Sequence, residues 1–76
     1  MISVRKTGMG IEVSIGYVTD LGSDKNVFVT VDREAGTINP SMAGSLNAAG
    51  IEALKDAIAL AEMILKYGIK SPDKAN

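Results

Sequence analysis

The side chains in this sequence with chemistry to offer a substrate are carboxylates and small oxygen donors. In Asp20-Leu21-Gly22-Ser23-Asp24-Lys25-Asn26, two acids share one polar loop, where they could divide acid and base roles. The ordinary reading of the same loop is a solvated connection whose Asp residues make turns. Asp20, Ser23, Asp24 and Asn26 also carry oxygens that a hard cation could use, but the Asp-x-Asp-x-Asp-Gly spacing of a calcium loop is missing. The chain has no histidine and no cysteine. It therefore lacks the commonest general base, the commonest nitrogen ligand, a thiolate nucleophile and every Ser-His or Cys-His pairing. We expect no catalytic residue, metal or cofactor, and a non-enzymatic protein.

Gly8-Met9-Gly10 is no dinucleotide fingerprint, because Val13 stands where the third glycine belongs and a strand follows where a helix should open. Lys6-Thr7 and Lys70-Ser71 lack the glycines of a phosphate loop. In Asn39-Pro40-Ser41 the proline excludes glycosylation. Arg5, Lys6 and Arg33 could gather at one end of a sheet with Phe28 on its outer face, the outline of a single-strand nucleic-acid platform. Eight basic residues against nine acidic ones leave a net charge of -1, which disfavours a phosphate-backbone partner.

A different surface carries more weight. From Asn47 to Ile69 the chain reads NAAGIEALKDAIALAEMILKYGI, with apolar residues at steps of three and four. Two adjacent stripes, one through Ile51, Leu54, Ile58, Ala61 and Leu65 and one through Ala53, Ala57, Leu60, Ile64 and Tyr67, make an apolar arc of about 200°. A helix lying on a sheet needs little more than about 100°. The alanines should meet the sheet. Leu60, Met63 and Tyr67, with Asp56 and Ala59 beside them, then project to one side as a candidate protein interface of residue types enriched there. Either Ser41 to Ser45 folds back so that Met42 covers Leu60 or Met63, or the flank binds a second copy or another protein.

The elements that place these residues follow from local signals. Asn47 can cap the helix start, with Leu46 stapling onto Ile51. Gly50, where a capping box would want Glu or Gln, suggests that the regular helix begins nearer Ile51. Gly68 can close the helix in a left-handed conformation, with Ile69 against Ile64. Glu62 and Lys66 have the spacing of an ion pair. Alternation marks strands at Ile2 to Arg5, Ile11 to Val18 and Val27 to Asp32. Matching inward faces pairs Val4 with Ile11 around a loop of Lys6 to Met9, and Tyr17 with Val27, which lays Phe28 over Gly16. Asp20 to Asn26 would be a mobile connection. Asp32 to Thr37 has its glycine where a four-residue hairpin loop wants positive φ, so Thr37 and Ile38 return as a fourth strand that Pro40 interrupts.

The expected architecture is α+β, an antiparallel meander of three to four strands packed on one long C-terminal helix. It forms a single domain over residues 1-69 with a polar, disordered tail at 70-76. At 76 residues and 46% hydrophobic, such a domain has a thin stability margin, which favours a homodimer. No apolar run approaches membrane thickness and no targeting motif is visible, so a soluble, cytoplasmic protein is expected.

The hairpin Val-Asp-Arg-Glu-Ala-Gly-Thr-Ile, followed by Gly-Ser-Leu and an Ala/Leu-rich helix, resembles small bacterial and phage accessory proteins over about half the chain. The likeness lies in hairpin and capping physics and transfers no functional residue. No family is recognised on it, and the expectation of an accessory role, by binding or inhibiting another protein, rests on size and simplicity.

Overall fold

A computed structural model describes residues 1–8, 10–41 and 44–68. Strands β1 (Ile2–Thr7), β2 (Gly10–Val18), β3 (Asp24–Asp32) and β4 (Thr37–Ser41) precede one helix, α1 (Ala48–Tyr67). The strands form one antiparallel sheet in the order β1-β2-β3-β4, the meander that short connections produce. Alternation decides the two faces. Val13, Val27, Val29 and Val31 are fully buried under the helix, with Ile11 and Ile15 beside them. Ser14, Thr30, Asn39 and the Arg5–Glu12 ion pair at 2.8 Å lie on the opposite face.

Both predicted strand pairings are corrected by two residues. Val4 pairs with Val13 and Thr7 with Gly10, so β1 runs two residues further and the connection is only residues 8–9. Gly10 is required there. Its φ is +139°, and a Cβ would run into the Val31 carbonyl oxygen. Val27 pairs with Ile15 and Val18 with Asp24, so β3 begins three residues earlier than the alternation suggested. Phe28 accordingly faces Ser14, while Gly16 is flanked by Asn26 and donates its N–H to the Met1 carbonyl at 3.0 Å. The expected mobile connection is a closed five-residue loop. The Thr19 amide donates to the Ser23 carbonyl at 2.8 Å and the Gly22 amide to the Thr19 carbonyl at 2.9 Å.

The β3–β4 hairpin forms as expected. Gly36 has φ +72°, its N–H reaches the Asp32 carbonyl at 2.8 Å, and the Ala35 N–H reaches Asp32 Oδ1 at 3.0 Å. β4 extends through Pro40, opposite Val29, because its outer edge has no neighbour needing the missing N–H.

The helix starts earlier than its glycine implied. Asn47 caps it by accepting the Gly50 N–H at 2.9 Å, and Ala48 is already helical. Gly50 is no defect. It is buried, and a Cβ there would stand 3.0 Å from two Tyr17 ring atoms and 3.1 Å from Leu46 Cδ2. Leu46 packs over Gly50, and Ile51, its expected staple partner, is 46% exposed. Gly50, Ala53, Ala57, Ala61 and Ile64 form the buried row against the sheet, small enough to let the backbone approach closely. At the C-terminus Gly68 has φ +83° and ψ 175°, so it is not the left-handed cap expected. That region is still essentially reserved for glycine. Its N–H bonds the Ile64 carbonyl at 2.7 Å. Ile69 and the tail at 70–76 lie outside the described residues.

Candidate protein-binding face

The helix does not sit centrally on its sheet. It lies over β2, β3 and β4, and no Cα of the helix comes within 8 Å of one in β1. Its two flanks therefore meet different surroundings, and the hand of the chain determines which is which. Because Gly16 bonds Met1, the even residues of β2 bond β1 and the odd, inward ones bond β3. For L-residues this puts β1 on the left and β3 on the right, when the sheet is seen from the helix side with β2 running upward. The helix runs down that view. It starts where Asn47 Nδ2 donates to the Val18 carbonyl at 3.3 Å, and it ends at Gly68 beside the Arg33 guanidinium. A right-handed helix in that direction turns Leu54, Ile58 and Leu65 toward β4 and Leu60, Met63 and Tyr67 toward β1.

Exposure follows this placement. Leu54, Ile58 and Leu65 are half-buried and packed on the core, near the half-buried Ile38 of β4. On the other flank Leu60 also packs on the core, but Met63 is 58% and Tyr67 69% exposed, and Asp56 and Ala59 are exposed. Beneath that flank, on the same face of the sheet, Ile2 is 61% and Val4 38% exposed. These two point inward but have no helix above them. Apolar side chains thus line a strip between α1 and the free edge of β1, Ile2 and Val4 toward the Asn47 end and Met63 and Tyr67 toward the Gly68 end. Lys6 stands on the same face near the β1–β2 turn, since its partner Ile11 is an inward residue. Sequence reasoning found the helical half of the strip. It missed Ile2 and Val4, whose inward alternation was visible but whose uncovered state depends on where the helix lies.

Lys66 makes no ion pair with Glu62 among the described residues. Its ammonium lies instead 5.4 Å from the Tyr67 ring centroid. Solvated pairs at this spacing hold too weakly to fix one geometry. Met42 and Ala43 lie outside the described residues, so the expected cover of Met42 on Leu60 or Met63 falls there too.

The other candidate groups disperse. Asp20 accepts from Asn47 Nδ2 at 3.1 Å, which ties the loop to the helix cap, while Asp24 opens β3 opposite Val18. Among the described residues no three His, Cys, Asp or Glu side chains gather as a metal site. Of the nucleic-acid set, Arg5 is engaged by Glu12 and shares the outer face with the half-buried Phe28, Lys6 is on the helix face, and Arg33 stands at the helix C-terminus. The four do not converge. A cleft of about 550 Å³ at that end of the sheet is lined by Lys6 and Arg33 but equally by Asp32 and Glu34. Among the described residues no helix is long and apolar enough to cross a membrane. No family model matches the chain, and neither a curated protein nor a solved structure matches it.

Proposed function

We propose that this protein is a small, non-enzymatic binding module that acts by holding another protein on the strip between α1 and β1. The observation that carries the reading is the lateral offset of the helix. It leaves Met63 and Tyr67 exposed on the side facing β1, where Ile2 and Val4 are exposed further along the strand, whereas the opposite outer face of the sheet is mostly polar around Phe28. Exposed apolar side chains gathered on one side of a small fold mark interaction surfaces. Homodimer formation is one form of such binding, as is capture and inhibition of a different protein.

The test uses the tagged chain to capture proteins from a lysate of its source, with Tyr67→Asp and the outer-face variant Thr30→Asp run in parallel. Proteins held by the strip, further copies of the chain included, should be lost with Tyr67→Asp and retained with Thr30→Asp, at unchanged circular dichroism. Capture that survives Tyr67→Asp overturns the reading.

A further inference from the structure

The shape of the strip narrows what can fill it. Neighbouring helices pack with axes about 8–10 Å apart, and strands are spaced about 4.8 Å. The helix α1 rides over β2 to β4 and leaves β1 bare, so a second helix laid beside it would have its axis over β1. That position presents Ile2 and Val4 as a floor toward one end and Met63 and Tyr67 as a wall toward the other, with Leu60 between them, the length over which an amphipathic helix lies in a groove. An extended segment pairing with the β1 edge would continue the sheet sideways and leave both floor and wall bare.

A second copy fits poorly. Its single helix already spends its alanine row on its own sheet, and the one apolar flank left beside β1, with Met63 and Tyr67, cannot meet floor and wall together. Flank-to-flank pairing of two α1 helices would also drive both β1 strands into the same space below them. The charges define the partner further. Lys6 makes no ion pair among the described residues, and it stands at the end of the sheet where α1 finishes with Lys66. Asp32 at that end is on the outer face and Glu34 is in the β3–β4 turn, so a helix ending over β1 meets Lys6 first, which suits both its C-terminal dipole and an acidic last turn.

We infer that the strip receives an amphipathic helix of a different protein, laid beside α1 over β1 with an acidic last turn at the Lys6 end. This rests on the strip being a protein-binding face. The probe is an alanine-based helical peptide of about 18 residues, long enough to hold helix in water, with a leucine stripe and glutamates in its last turn. A second peptide carries lysines in place of the glutamates. Titrated into the isotope-labelled full chain, the acidic peptide should shift the amides of Ile2, Val4, Met63 and Tyr67 and leave those of Ser14 and Thr30 unmoved. It should bind about threefold more tightly than the basic one, the scale of an exposed charge pair, and Lys6→Glu should reverse the preference. Met63→Asp, at an exposed position, should abolish binding without unfolding the chain.

Shifts spread over the outer face, or equal binding of the two peptides, overturn the inference. So does concentration-dependent dimerisation of the free chain that Met63→Asp abolishes, because a second copy is then the occupant. If the peptides fail while Tyr67→Asp still releases captured proteins, the helix inference falls and the binding face stands. If Tyr67→Asp releases nothing, both fall.

Discussion

The two flanks of α1 are built from similar residues and meet different fates. Leu54, Ile58 and Leu65 on the β4 side are half-buried, while Met63 and Tyr67 on the β1 side are exposed. Hydropathy explains part of this, Met and Tyr being less apolar than Leu and Ile, but it does not choose a side. What separates them is the seat of the helix, fixed by Gly50 against Tyr17 and by the alanine row against the valines of β2 and β3. Burial on one side serves stability, and the bare strip on the other is the surface we propose for binding.

This contrast can be broken at the seat itself. Ala57 is fully buried, and Ala57→Leu should cost about 3 kcal/mol through overpacking, read by urea unfolding. It should also alter the exposure of both flanks, seen as changed amide exchange along α1. Ile58→Asp on the covered flank should cost about 2 kcal/mol, because a carboxylate would be placed against apolar neighbours without a partner. Asn47→Ala should cost about 1.5 kcal/mol. It removes the cap on Gly50 together with the bonds to Val18 and Asp20. The smallest effect belongs to the open flank. Met63→Asp should change unfolding free energy by less than about 0.5 kcal/mol, and a cost matching that of Ile58→Asp would show that the strip is covered within the chain.

The residues explain how much of this could be read beforehand. Asn47, Gly36 and the alanine row each have one physical use, and each appears where its spacing put it. Strand pairing was less legible because a two-residue slip leaves every side chain on the same face. Alternation in β1, β2 and β3 is equally content with either register. Turn geometry chose between them, through the two-residue connection before Gly10 and the closed loop after Val18. Gly50 was misread as a weak start, although a costly residue in a helix is itself a sign of close packing. For the proposed strip, the width of the apolar arc pointed to Met63 and Tyr67, which are exposed, and to Leu60, which is half-buried on the core. The floor of Ile2 and Val4 depends on a sideways offset that no local pattern encodes.

The most direct test of the binding face is photo-crosslinking in the source cells. A photoreactive amino acid is placed at Tyr67 in one variant and at Thr30, on the polar outer face, in another. The account predicts discrete protein adducts from position 67 that disappear when Met63→Asp is added, and none from position 30. Equal adducts from both positions, or none from position 67, would contradict it.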